Sequence, residues 1–290
     1  MHQENASGNL LVLGTAQDGG YPHTGCSDDC CKEAWKDSNQ KRLIASLAAL
    51  DGNDCFLIDI TPDFKYQLQL IERHVNDKPR ISGICITHAH LGHYMGLLEL
   101  GLEAMNTNKI PVYVMPKMKS FLENNAPFTQ LLELNNIHLN VLQDNCPVEI
   151  CKDVSITPFQ VPHRNEYSET VGYRIQSSRQ SVLYIPDIDS WDEWEDTDIK
   201  KLIKESDIAL LDGTFYDKTE LKNRDVSAIP HPSIRESIKK FSALDKMDRK
   251  KVNFTHLNHT NNVLREGSEA KRYVIQQGFH IAYDGMVISI

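Results

Sequence analysis

The sequence predicts an α/β (α+β) fold, a sheet-on-sheet sandwich covered by helices on both outer faces. Three observations predict it. Short apolar runs alternate with amphipathic stretches along the chain, the same style recurs in a second half, and no low-complexity linker or short-period repeat separates the halves. The 290 residues are therefore read as one domain, 1–290, long enough to bury a sizeable core.

The elements follow in order. NLLVLG (9–14) reads as a strand, followed by a Gly- and Cys-rich loop over 15–31. RLIASLAAL and DCFLIDI flank Asp-Gly-Asn, a hairpin signal. Thr61-Pro62 opens a helix through PDFKYQLQLIERH, with Thr61 as N-cap and Pro62 at the first helical position. ISGICIT (81–87) is a buried strand, GHYMGLLELGLEAM a helix, and IPVYVMP a strand. In the second half ITPFQVPH, TVGYRIQ and SVLYIPDI are strands, the last two forming a hairpin. DIALLDGTF and KVNFTHLNH are strands around the helix HPSIRESIKKF, and GFHIAYDGMVISI ends the chain as strand material. Trp191 and Trp194 are read as packing residues, and the apolar face of LLELGLEAM as core.

Composition excludes several function classes. Formal charge is -9 and Lys/Arg are scattered among acids, which disfavours a nucleic-acid substrate. No run approaches the ~18 apolar residues of a membrane helix, and MHQENASG carries neither the basic nor the apolar segment of a signal peptide. Seven cysteines, three of them crowded into GCSDDCC, do not form a disulfide framework, so a cytoplasmic location is expected.

The chemistry concentrates in ITHAHLGHYMGL (86–97). His88, His90 and His93 follow the strand 81–87 directly; there, residues i and i+2 converge on one ion while i+5 points to an adjacent place. His163 ends FQVPH, Asp187 ends LYIPD and His256 ends NFTH, each the first ligand-type residue after an apolar strand. In open α/β folds such strand ends collect at one rim.

This order of motifs resembles the metallo-β-lactamase superfamily over nearly the whole chain. The resemblance implies a four-layer αβ/βα sandwich and a centre for one or two zinc ions, with iron or manganese as alternatives. It implies that His88, His90 and His163 hold a first metal, that His93 and His256 hold a second, and that Asp187 bridges both and is catalytic. Asp59, ending FLID, matches the early strand-end aspartate that supports the metal loop. Gly92 departs from the pattern, because that position is commonly an aspartate ligand of the second metal. An intact first site and a weaker or empty second one are expected, with Asp18 or His259 as substitute ligands.

Two further residues fall at the same rim. His231 stands at a helix start after DGTF; in phosphodiesterase branches of the superfamily a similarly placed histidine donates a proton to the leaving oxygen, so His231 is a catalytic candidate. Asp212 in LLDGTF is read as an acceptor that orients a ligand histidine, or as an ordinary strand-end cap. Arg164, Glu166, Tyr167, Ser168 and Glu169 either line the substrate pocket or are solvated.

LVLGTAQDGGYPHTGC with CC, LLDGTF and THLNHTN resembles the pyrroloquinoline quinone biosynthesis protein B group and related cyclic phosphodiesterases. That subgroup carries a Cys-rich insertion binding a structural zinc. Cys26, Cys30 and Cys31 are the candidates here, with His23 as the fourth, although adjacent cysteines do not easily face one ion. The leading functional expectation is a hydrolase using a metal-bound hydroxide on an ester-like or phosphodiester bond of a small molecule. The alternatives are an iron-dependent oxygenase of cofactor biosynthesis and a non-catalytic metal-binding accessory protein. Oligomeric state is left open, a homodimer included.

Overall fold

Two seven-stranded sheets form the centre of the computed structural model, which describes residues 8–194, 197–220 and 229–290. Residues 1–7, which carry most of the reading against a signal peptide, lie outside the described residues.

The first half builds β1 (Asn9–Gly14), α1 (Asp29–Lys36), β2 (Ser46–Asp51), β3 (Asp54–Ile58), α2 (Phe64–Glu72), β4 (Arg80–Cys85) and α3 (Leu91–Tyr94). It continues through β5 (Ile110–Val114), α4 (Pro116–Asn124), α5 (Phe128–Glu133) and β6 (Ile137–Val141). The second half builds β7 (Val148–Cys151), β8 (Val154–Gln160), β9 (Val171–Ser177), β10 (Ser181–Ile185), α6 (Ile199–Glu205), β11 (Ile208–Asp212), α7 (Ile234–Phe241) and α8 (Lys246–Lys251). β12 (Val252–Thr255), α9 (Glu269–Gln276), β13 (His280–Ile281) and β14 (Val287–Ser289) complete it.

Strand order is β14-β1-β2-β3-β4-β5-β6 in one sheet and β13-β12-β11-β10-β9-β8-β7 in the other. The strand material of 279–290 thus divides, β13 pairing with β12 and β14 with β1. Along β1 the side chains show why the molecule has four layers. Leu10 and Val12 join Phe56, Tyr173, Tyr184 and Leu210 between the sheets, while Leu11 and Leu13 pack with Phe64, Ile71 and Leu97 under the first helical layer. Leu183, Ile185 and Phe254 pack with Ile203, Phe241 and Val274 under the second. Strands buried on both faces read as near-continuous apolar runs, which is how the sequence presents β3 and β10; β12, VNFT, is equally buried but carries Asn253 and Thr255. Among the described residues no helix is long and apolar enough to cross a membrane.

Local departures have physical causes. α2 starts at Phe64 rather than at Pro62, with Asp63 at the N-cap. The Thr61 hydroxyl donates to Gln67 Oε1 and accepts from Asp63 N, so it closes the preceding turn instead of capping the helix. The helix expected over 92–105 is only α3 followed by a 3₁₀ stretch, Met95–Leu100. His93 O and Gly96 N are both bonded to Ile60, and a Cβ on Gly96 would sit 2.4 Å from Thr61 O; this close approach tightens the turn. The Asp-Gly-Asn hairpin between β2 and β3 and the β9–β10 hairpin form as read. Trp191 donates to Ser237 Oγ and Trp194 stacks on Phe159, so both tryptophans pack.

Candidate metal centre

The polar residues that end the strands meet at one rim. Asp59 follows β3, His88 follows β4, His163 follows β8, Asp187 follows β10, Asp212 ends β11 and His256 follows β12. Asp59 and His256 turn out of their strands through left-handed backbone, with φ of 65° and 58°. Such conformations persist where the surrounding structure over-determines them, and they re-aim a side chain sharply.

Asp187 is the hub. Its Oδ2 lies 3.0 Å from His93 Nε2, 3.2 Å from His256 Nε2 and 3.8 Å from His88 Nε2; its Oδ1 lies 3.8 Å from His163 Nε2 and 4.0 Å from His231 Nε2. His88, His90 and His163 form one group whose ligand atoms lie within 4.8 Å of one another, and Asp18, His93 and His256 form another. His88, His93 and Asp187 join them.

Hydrogen bonding assigns the tautomers. Asp59 accepts from Thr87 N and Thr87 Oγ1, so the Thr87 oxygen is left to accept from His88 Nδ1 at 2.9 Å. His93 Nδ1 donates to Asp59, His163 Nδ1 to Asp189 and His231 Nδ1 to Asp212, each at 2.7 Å; His256 Nδ1 donates to Thr214 Oγ1 at 3.0 Å. Every one of these rings therefore turns its Nε2 inward. His90 is reversed, its Nδ1 3.2 Å from His163 Nε2 and its Nε2 3.5 Å from Glu166. Outer carboxylates that hold an imidazole by one nitrogen leave the other free to bind a cation.

The electrostatics agree. Burial pushes His88 well below the usual imidazole range, and the neighbouring His93 adds to it. Burial also lowers His90 and His256. Burial opposes charge on Asp187, yet His256, His93 and His88 hold its carboxyl well below the ordinary range. His93 is also opposed by burial, but Asp59, Asp18 and Asp187 raise it well above. His88 Nε2, His93 Nε2, His256 Nε2, Asp187 Oδ2 and Asp18 Oδ1 are buried without a hydrogen-bond partner. Buried polar atoms need compensation, and a cation between these five atoms supplies it, so the residues fit a metal.

The second cysteine-rich group differs from the reading of the sequence. Cys26, Cys30 and Cys31 meet His259, not His23, and Cys30 Sγ and Cys31 Sγ each lie 3.4 Å from His259 Nδ1. The His23 ring lies tilted against the His259 ring, centroids 4.2 Å apart, and His23 gives only its backbone N–H to Cys31 Sγ. Two adjacent cysteines do face one point here, because both sit in the first turn of α1 opposite a loop that brings His259 in. His259 is accordingly no substitute ligand at the main centre. The polar stretch after His163 is partly structural: Ser168 Oγ accepts from Ala89 N, and Glu169 accepts from Lys117 N. Asp189 and Thr214 were not legible as site residues, although Asp189 lies two positions after Asp187.

Comparison with known proteins starts from the sequence profile. The beta-lactamase superfamily domain matches residues 55–257, which contain every strand-end residue above. The chain belongs to the metallo-β-lactamase superfamily. Within that superfamily it is similar to coenzyme PQQ synthesis protein B of Xanthomonas campestris pv. campestris (strain B100), 26% identical across 97% of this chain and 99% of the relative. Zn(2+)-bound PqqB from Methylobacterium extorquens superposes with TM-score 0.83 at 24% identity, covering 97% of this chain and all of that one. A diphosphatase from the PhnP family superposes with TM-score 0.66 at 21% identity, covering 97% and 96%. These solved structures establish the metallo-β-lactamase sandwich as the fold.

Proposed function

We propose that this chain is a metal-dependent hydrolase of an ester-like or phosphodiester bond in a small molecule. The observation that supports it is the convergence of five imidazole Nε2 atoms on Asp187, each ring fixed through its other nitrogen. His88, His90 and His163 would hold one ion; His93, His256 and Asp187 would contribute to a second. Zinc suits this nitrogen and carboxylate set, and such an ion, when bound, lowers the pKa of water and polarises a substrate oxygen.

The chain's own groups do the rest. Asp59, Asp189 and Asp212 keep His93, His163 and His231 oriented. Burial opposes charge on His231, but Asp212 and Asp187 push it up to about 9, so the ring carries its proton at neutral pH. Its Nε2 faces Asp187, where it can donate to a leaving oxygen. A cleft of about 1530 Å³ opens beside Asp18 and the cysteine group, lined by Asp18, Leu91, Phe215, Glu220, Cys30 and His259 among others. Its acidic wall disfavours a polyanion. The Cys26, Cys30, Cys31 and His259 group would hold a structural zinc.

The test is turnover of bis(p-nitrophenyl) phosphate and of an ester, lactone and thioester panel by zinc- or manganese-loaded protein. Full metal loading without turnover of any substrate would sink the hydrolase in favour of a metal-binding accessory role. The similarity to coenzyme PQQ synthesis protein B over 97% of the chain favours a second reading, an oxidative step of cofactor assembly. Iron as the metal of protein as isolated, with oxygen consumption, would select it.

A further inference from the structure

We infer that Asp18, on the loop between β1 and α1, supplies the carboxylate of the second metal position, and that position 92 is glycine because this carboxylate occupies its side-chain space. The inference rests on the metal-centre reading above and specifies one of its ligands.

Three observations carry it. A Cβ built on Gly92 would lie 2.1 Å from Asp18 Oδ1, 3.0 Å from its Cγ and 2.8 Å from its Cα. Asp18 thus stands where a residue-92 side chain would begin, and the two cannot coexist without a backbone shift. Asp18 Oδ1 is 3.4 Å from His93 Nε2 and groups with His93 and His256, and all three ligand atoms are buried and unpartnered. The loop is also fixed where this placement requires it. Ala16 bridges to both Ile44 and Leu257, Gln17 N donates to Leu257 O, and Leu257 N donates to Thr15 O. Asp18 is therefore registered, through backbone bonds, against the residue that follows His256, its partner in the group. The HxHxxH stretch supplies histidines and withholds a carboxylate; a segment some 70 residues earlier returns one to the same spot.

The fit is chemical as well as steric. His93 and His256 contribute two neutral nitrogens and Asp187 one shared negative charge. A further carboxylate helps to balance a second divalent ion, and besides Asp187 it is Asp18 that groups with both histidines.

The experiment counts ions in the full-length protein. Elemental analysis after dialysis at fixed free zinc gives the total. Cobalt substitution separates the thiolate-held ion, through its sulfur-to-cobalt charge-transfer absorption, from ions held by nitrogen and oxygen. Wild type is expected to keep two nitrogen- and oxygen-bound ions. Asp18→Asn, close to isosteric, should weaken one of them by at least about tenfold and leave the thiolate band unchanged. Gly92→Ala removes no ligand, yet the added methyl displaces Asp18 and should weaken the same ion. Two ions held at wild-type affinity in Asp18→Asn would overturn the inference, as would an unaffected Gly92→Ala. Should Gly92→Ala fail to fold, as judged by thermal unfolding, Asp18→Asn decides alone. A wild type holding only the thiolate-bound ion would instead defeat the metal-centre reading itself.

Discussion

His93 Nδ1 donates to Asp59 Oδ2 at 2.7 Å, with both side chains fully buried. The same carboxylate accepts from the backbone and hydroxyl of Thr87, which in turn receives His88. One aspartate thereby orients two candidate ligands, proposed for different ions. Asp59→Asn keeps the shape but loses the charge, and zinc affinity is expected to fall about 10- to 100-fold in chelator competition. Unchanged affinity would show that the loop alone positions the histidines.

Replacing His163 distinguishes the two proposed ion positions. It groups with His88 and His90, and its removal leaves His93, His256 and Asp187 in place. His163→Ala should lose one nitrogen-bound ion and, if that ion activates water, all measurable hydrolysis. Retained activity at reduced metal content would move the chemistry to the second position.

His231 sets a pH limit. Pushed up to about 9 from an ordinary value of 6.5, it carries its proton through neutrality. Stability gained from the His231–Asp212 pair is fully present below pH 6.5 and is lost as pH rises through about 9. Hydrolysis that uses this proton should decline over the same upper range. His231→Asn should abolish that alkaline limb and slow turnover about 10²- to 10⁴-fold. An alkaline limb that persists in the variant belongs to another group.

The thiol cluster should take up zinc steeply with pH. Burial holds Cys31 up to about 12 and raises Cys30, so binding must displace thiol protons and strengthens as pH rises. Cys31→Ser should cost one zinc equivalent and lower the unfolding midpoint; full zinc content in that variant would remove the structural assignment.

Asp284 tests a buried acid outside the proposed ligand set. Burial pushes it up to about 6, against the bonds it accepts from Thr15 Oγ1 and Leu43 N. Between pH 3.8 and about 6 the folded protein holds a proton that the unfolded chain releases, so stability from this group falls as pH rises across that window and is level above it. Denaturant titrations of Asp284→Asn should lack the slope, which amounts to on the order of 3 kcal/mol. Parallel pH profiles for variant and wild type would show that Asp284 stays ionised.

The strand ends were legible because the fold buries β3, β10 and β12 on both faces. An apolar run that stops at a single acid announces Asp59 or Asp187 without any contact information, and His256 is the first ligand-type residue after the buried VNFT. β6 and β7 were not read: both are short edge strands, and only one residue of each is buried. The partner of the cysteines was misassigned to His23 for another reason. His259 lies more than 220 residues away in sequence, and only two loops meeting across the rim could reveal it. Asp18 was named as a substitute ligand on loop placement alone; what the sequence could not show is that its carboxyl fills the space above Gly92.

β1 pairs with β14, so Asn9 lies opposite Ser289 and Ile290 N bonds to Gly8 O. Contacts that distant in sequence carry the largest loop-closure cost, and they await synthesis of residues 287–290. The sheet edge beside Thr15–Gln17, which registers Asp18, is thus among the last parts to be sealed. A nascent chain would already hold His88, His90 and His163 while still waiting for His256 and this closing strand, so the two proposed metal positions would be completed at different times during synthesis.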